Sequence, residues 1–233
     1  MPQAAPPIQL LAPPTLLVPL QARTAHHKEI ELIWLPLGQD IADTLDPALP
    51  VVLINGTLDE LQGLTHPTLH VIDVVAYGDV IQAPLHGWII GAGGDKVALA
   101  RVAPLLDSLA PPAQNAWLHL GNTGSAAFVA SLLQHWQAQT LAILGWLGGT
   151  TRAQWAYDPA IWQQITQATL HQARHDALRY LQMTADQPFE PLRTLPAALQ
   201  QSLSNQPQTG AIAPATLLAQ LLLSIPAIPN TAL

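Results

Sequence analysis

The chain contains no cysteine. Disulfides, thiolate catalysis and cysteine-ligated zinc are therefore excluded. Charge is also scarce: Asp, Glu, Lys and Arg make up 10% of the 233 residues, against about a quarter in ordinary globular proteins. The surface must then be largely uncharged and polar, or covered by a partner, and oligomerisation is expected. The eight Lys and Arg residues are scattered and the net charge is −7, which argues against binding nucleic acid, whose phosphates require clustered cations. No basic segment precedes the first apolar residues, and Pro6, Pro7, Pro13, Pro14 and Pro19 break that region; no signal peptide is expected. The longest stretch without charge runs from Ser108 to Thr151, but Gln134, His135, Gln137 and Gln139 interrupt its middle. A membrane span needs about 20 mostly apolar residues in a row, so none is expected, and the reading is of a soluble, cytoplasmic protein.

What is present changes texture along the chain. Residues 1–27 read as a proline-rich, irregular segment whose apolar runs IQLL and TLLV suit edge strands or a surface arm. From residue 28 to 120, strand patterns alternate with helical ones. EIELIWLPL, PVVLINGT, HVIDVVAYGD, GWIIGAGG and AWLHLG read as strands, the first of them as buried. QDIADTLDPAL, LDELQGL and DKVALARVAPLLDSLAPP read as helices. That alternation predicts a parallel or mixed sheet flanked by helices. After Gly121 the strands stop. SAAFVASLLQHWQAQTLAILGWL predicts one long helix, apolar nearly all round, of the kind that belongs in a core or an oligomer interface. A second helix is predicted after Asp158-Pro159, since Asp is a good N-cap and Pro suits a first turn. LPAALQQSL and PATLLAQLLLS read as further helical pieces. The fold class expected is thus α/β followed by all-α.

Four stretches carry a resemblance. WLPLGQDIADTL (34–45), VVLING (51–56), HVIDVVAYGDVIQAPLHGWIIGAGGDK (70–96) and RVAPLLDSLAPPAQNAWLHLGNTGSAAFV (101–129) resemble, in the same order, successive segments of the 6-phosphogluconate dehydrogenases and their β-hydroxyacid dehydrogenase relatives. Asp73 to Lys96 matches without a gap. The resemblance spans roughly residues 30–140. It implies a truncated Rossmann-like sheet domain, followed by a helical domain (121–233) that forms an extensive homodimer. It also implies a dinucleotide held at a strand–glycine loop–helix unit, and a lysine acting as general base on the substrate hydroxyl.

The chain departs from the family at each chemical position. Its first glycine is Gly38, so no glycine-rich nucleotide loop precedes it, and the expectation is that too few residues remain for a first strand, helix and second strand. At the family's lysine position stands Ala130. The His-Asn pair that follows is Leu133-Gln134, the acidic position is Gln137, and the tyrosine position is Ala138. The substrate turn becomes Tyr77-Gly78-Asp79; the family's "DGGN" leaves Asn55 and Gly56, with Leu58 at the asparagine position. Ala130 has no titratable group, and no environment tunes a pKa that does not exist. What persists (Asp73-Val74, Gly78, Gly87, Gly93-Gly94-Asp95, Pro104, Gly121, Gly124, Phe128-Val129) reads as turns and packing. The expectation is a non-catalytic, degenerate homologue without cofactor: a dimeric scaffold, or a binder of a small metabolite. Its old cleft would be lined by Asn55, Gly56, Tyr77, Gly78, Asp79, Gln134 and Gln137. Within the dimer Phe128, Leu132, Leu133, Trp136, Leu141 and Leu144 should be buried. The alternative is an active oxidoreductase that uses NADP or NAD on a phosphogluconate-type hydroxy acid.

Other motifs admit blander readings. GAGGDK (91–96) looks like a phosphate loop, but Lys96 replaces the third glycine; Asp95 as a helix N-cap is the simpler role. Asp79 in its turn is more simply a cap than a catalyst. His171 and His175 have the i, i+4 spacing of a metal pair, with no third ligand evident; no metal site is expected. His26-His27 suits a solvated loop. His135 and Trp136 suit packing against a neighbouring helix, with the imidazole hydrogen-bonded.

Overall fold

The computed structural model describes residues 6–27, 29–38, 41–64, 69–113, 116–148, 154, 157–192 and 212–226. The predicted helix LPAALQQSL lies outside them. Six strands form one sheet: β1 (Ile8–Ala12), β2 (Leu32–Pro36), β3 (Val51–Ile54), β4 (Val71–Tyr77), β5 (Ile89–Gly93) and β6 (Trp117–Gly121), in the order β2-β1-β3-β4-β5-β6. All neighbours are parallel except β4 and β5. Between them run α1 (Pro14–Thr24), α2 (Leu58–Gly63), the short α3 (Ala83–His86) and α4 (Lys96–Leu109). The helical half comprises α5 (Ser125–Gly148), α6 (Pro159–Thr184) and α7 (Pro214–Ser224).

The N-terminal segment corrects an expectation. Of the two readings of residues 1–27, edge strands or a surface arm, IQLLA does form a strand, but an interior one, wholly buried and paired on both sides. TLLV lies inside α1. A strand covered on both faces needs an unbroken apolar run, and the one polar member, Gln9, is satisfied. Its amide donates to the Asp46 carbonyl (2.9 Å) and accepts from the Asp46 N–H (2.8 Å). The flanking prolines stand outside the strand, and Pro14 occupies the first turn of α1, where a missing N–H costs nothing. The first strand–helix–strand unit therefore exists, and the sheet begins at Ile8 rather than near residue 28. Two further corrections follow from position. β2 pairs with β1 alone and is a partly exposed edge, not a buried strand. QDIADTLDPAL makes only a 3-10 turn, Ala42–Thr44.

Alternation along the strands feeds two cores. Leu10, Val52, Ile72, Val74 and Ile90 face α1 and α4. Leu11, Val51, Leu53 and Val75 face α2 and the helical half, meeting Phe128, Ala173 and Tyr180. The sheet and the helical half thus share one core. The rings of Phe128 and Tyr180 stack at 5.0 Å with an interplanar angle of 4°. Asp158 caps α6 as expected, accepting from Ala160 N.

At the edge formed by the beginning of β4 and the ends of β5 and β6, one carboxylate fastens the halves together. Asp73 on β4 is 1% exposed. Its Oδ1 accepts from Gly124 N (2.8 Å) and its Oδ2 from Ala127 N (2.8 Å), both in the opening turn of α5. Burial pushes this carboxyl above the usual range, and the backbone N–H bonds oppose the shift. Gly93 must be glycine: a Cβ there would sit 2.6 Å from Asp73 Oδ1. Beside it, buried His119 places Nε2 3.0 Å from the carbonyls of Gly94 and Gly121, while its Nδ1 accepts from Leu192 N. Nε2 therefore donates, and the ring is neutral; burial holds its pKa below the usual value.

Two outcomes are expected. Asp73→Asn keeps one acceptor but turns an NH2 toward an α5 N–H, and should lose about 1–3 kcal/mol in urea denaturation. For His119, the unfolded state binds the extra proton, so its contribution is full above pH ~6.5 and declines as pH falls from there toward the lower native pKa. His119→Gln, which keeps one donor and one acceptor, should flatten the fall of melting temperature on acidification below that pH.

Candidate functional site

In an open α/β sheet, ligands bind beyond the carboxyl ends of the strands where the order reverses. Here the chain runs from β1 outward to β2 and returns to β3 on β1's other side. The reversal lies between β1 and β3, and the residues that follow these strands define the upper edge: Pro13-Pro14, Asn55-Gly56 and, one strand further, Tyr77-Gly78. α5 begins at the opposite edge on Asp73 and climbs the sheet face; Gln134 Nε2 reaches the Asn55 carbonyl at 3.5 Å. The structure therefore brings Asn55, Gly56, Tyr77, Gly78 and Gln134 to one rim. Asp79 and Gln137 do not join them. Asp79 Oδ1 accepts from Ile81 N (2.7 Å) and Gln82 N (3.4 Å), capping its own turn, and Gln137 is exposed.

The groups that converge are already engaged. Asn55 has φ 53°, a left-handed conformation that asparagine tolerates. Its side chain mimics one more rung of sheet: Nδ2 donates to the Ala76 carbonyl (2.9 Å) and Oδ1 accepts from Ala76 N (2.7 Å). A Cβ on Gly56 would stand 2.5 Å from the Leu53 side chain. Thr57 and Glu60 then form a reciprocal capping box that starts α2, with Leu58 buried behind it. Gly78 packs on Trp88. Tyr77 is half exposed. Ala130 is 3% exposed, inside the core shared with the sheet. No carboxylate, amine or imidazole is among the converging side chains.

The β1–α1 junction shows a feature that the sequence reading missed. A dinucleotide's pyrophosphate is normally held by free N–H groups at this helix start. Here Pro13 is the N-cap and Pro14 the first helical residue; neither has an N–H. Leu16 N already donates to the Pro13 carbonyl, which leaves Thr15 N–H alone among residues 13–16. Beyond the ends of β2 and β3 lies a cavity of about 730 Å³. Its lining includes the carboxylates Asp43, Asp59 and Glu60 and, among the described residues, no cationic side chain. Asp59 is paired with Arg179 at 2.6 Å, so a phosphate there would meet the charges of Asp43 and Glu60.

The remaining candidates are structural. Asp95 caps α4 through Val97 N and Ala98 N (2.9 Å each), using the donors a phosphate would need. Lys96 stands 3.6 Å from Glu190. His27 pairs with Glu29 at 3.3 Å. His135 Nε2 meets buried Asp176 of α6 at 2.7 Å, joining the two long helices; the imidazole is hydrogen-bonded as the sequence suggested, but its partner was not legible. Trp136 is not packed within the single chain: it is 66% exposed. His171 and His175 line a cavity with Arg174, and no group of three metal-ligating side chains occurs among the described residues.

A six-stranded, mostly parallel sheet followed by helices packed on one of its faces is a truncated Rossmann-like architecture with a helical second half. No family model and no curated protein matches the chain by sequence. Solved structures similar to it include an imine reductase from Myxococcus stipitatus in complex with NADP+ (14% identity over 85% of this chain and 86% of that one, TM-score 0.49). A 3-hydroxyisobutyrate dehydrogenase from Mycobacterium tuberculosis shows 13% identity, over 77% and 94%, with a TM-score of 0.42. Another, from Salmonella typhimurium, shows 11%, over 92% and 99%, with a TM-score of 0.40. These names fall in the β-hydroxyacid dehydrogenase group that the sequence resembles. At such identities and scores the chemistry of this chain rests on its own residues.

Restoring the amine should not restore an active site. Ala130→Lys is expected to lose about 1–3 kcal/mol from overpacking alone, and to show no reduction of NADP or NAD with hydroxy acids when formation of the reduced nicotinamide is followed by absorbance.

Proposed function

We propose that this chain is a non-catalytic protein of dehydrogenase-like fold, a homodimeric scaffold that binds no dinucleotide. The observation that carries the reading is the Ala12-Pro13-Pro14 junction, where the helix start that would cradle a pyrophosphate lacks two of its donors. Supporting it are the buried methyl of Ala130, the engaged amide of Asn55 and the acidic cavity beside α2. A small metabolite in the upper-edge cleft near Tyr77 and Gln134 is compatible with this role, read through amides and a phenol rather than through proton transfer.

The dimer rests on α5 and α6. In the single chain Phe128 and Leu132 are buried and Leu133 half-buried, but Trp136, Leu141 and Leu144 are 66%, 68% and 58% exposed. Past Gln134, the last α5 side chain bonded to the sheet edge, the helix continues for about 20 Å at 1.5 Å per residue. Leu133, Trp136, Leu141 and Leu144 fall on one face of the helix, with Thr140 and Gln137 between them, and Trp162 near the start of α6 is also 40% exposed. A large apolar stripe on a sparsely charged protein is the mark of a covered surface. No helix among the described residues is long and apolar enough to cross a membrane, so a second copy is the occupant we infer.

The second reading is an active NADP- or NAD-dependent oxidoreductase. One observation favours it: the complete β1–α1–β2 unit at the amino terminus. Isothermal titration distinguishes the two. The scaffold reading expects no NADP or NAD binding at millimolar concentration, whereas micromolar binding would overturn it. Sedimentation should show a dimer at micromolar protein, and Trp136→Glu with Leu141→Glu should give a folded monomer; a monomeric wild type refutes the interface.

A further inference from the structure

A third cavity, of about 570 Å³, opens at the opposite edge of the sheet, where β1, β3 and β4 begin. Its floor is apolar: Ile8 and Ile72 from the strands and Leu105 from α4 are buried there. On the α4 wall stands Arg101. Among the described residues the other cations are all engaged. Arg23 donates to the Ser108 and Ala110 carbonyls, Arg174 to the Leu222 carbonyl and Arg179 to Asp59, while Lys96 faces Glu190. Arg101 is the one Lys or Arg side chain of that set with neither a hydrogen bond nor an ion pair.

We propose that this cavity binds an apolar monocarboxylate, its carboxylate paired with Arg101 and its hydrocarbon body lying on Ile8, Ile72 and Leu105. A guanidinium offers two parallel N–H donors that match a carboxylate's two oxygens. The volume falls within the range typical of small-molecule sites. The remaining charges narrow the ligand further. Glu29 and Glu31, on the chain entering β2, and Asp95, at the start of α4, also line the cavity, together with His70. Glu29 is paired with His27 and Asp95 with the α4 backbone. Three carboxylates against one guanidinium leave the lining net negative, which opposes a dianion more than a monoanion, so at Arg101 a single carboxylate on a neutral chain is preferred over dicarboxylates and phosphate dianions. The site lies at the edge away from Asn55 and Gln134 and is independent of the scaffold reading.

Isothermal titration of the full-length protein with sodium octanoate tests this directly, with octan-1-ol and suberate as controls. Octanoate should bind one per chain, and the alcohol and the dicarboxylate should bind about tenfold or more weakly, the difference expected of a charge-assisted bidentate pair. Arg101→Gln should weaken octanoate by a similar factor and leave octan-1-ol unchanged. Arg101→Lys, which keeps charge but not the fork, should fall between. Because Arg101 is exposed and holds no other group, thermal melts of the variants should match the wild type. Absence of octanoate binding at millimolar concentration, equal binding of octan-1-ol, or an unaltered affinity in Arg101→Gln would each overturn the proposal.

Discussion

Asp73 leaves the middle of the sheet and ends in the first turn of α5, and the placement of the helical half follows from that contact. A carboxylate buried to 1% exposure is tolerable only with strong partners, and two backbone N–H groups at a helix start supply both hydrogen bonds and a favourable dipole. The neighbours are shaped by it. Gly93 leaves space for the carboxylate, and Gly121 takes φ 154° where a Cβ would press on Ser125 Oγ. Ser125 in turn meets the Tyr180 hydroxyl at 3.0 Å. One polar chain thus runs from β4 through the glycine turn to α6, and it fixes where α5 begins and hence which of its residues reach the far edge.

The two edges of the sheet consequently differ in kind. At the edge held by Asp73 and His119, polar groups are buried and satisfied, and no buried side-chain nitrogen or oxygen among the described residues lacks a partner. At the edge of the reversal, where an α/β protein ordinarily keeps its ligand, amides have been turned inward. Asn55 extends the ladder between β3 and β4, and Gln134 leans on its carbonyl. These contacts make the rim a joint between sheet and helix. Prolines at the β1–α1 junction give a tight, rigid entry to α1 and offer no N–H donors of their own.

Much of this was legible in the sequence. The four later strands, α4 and its Asp95 cap, the long α5 and the Asp158 cap all follow local patterns, and all are present. Reading Asp73, the glycines and Phe128 as structural also agrees with their contacts. The interior position of β1 is not legible because proline signals irregularity or an edge, whereas Pro6, Pro7, Pro13 and Pro14 bracket a five-residue strand without entering it. β2 was misread because an apolar run reveals burial potential but not which strand ends up at the margin. The candidate rim was half legible. Adjacency of Asn55, Tyr77 and Gln134 followed from the resemblance, but the inward turn of the Asn55 amide and the carboxylates gathered around α2 depend on tertiary approach. The His135–Asp176 pair is of the same sort, since 41 residues separate its partners.

Scarcity of charge gives the rest its logic. With eight Lys and Arg residues in 233, a cation spent on a carbonyl is one not offered to solvent or phosphate. Arg23 collects carbonyls at the end of α4 and from α3, and Arg174 takes one at the end of α7. These are places where helix ends leave acceptors unmet. Arg179 ties α6 to α2 through Asp59 and Gln62. Such a distribution holds elements together, and none of the five described Lys and Arg side chains is among the groups that converge on Asn55. It also explains how a protein so poor in charge exposes Trp136, Leu141 and Leu144: nothing charged interrupts that stretch of α5, so its apolar stripe can be continued by another helix without burying an unpaired ion.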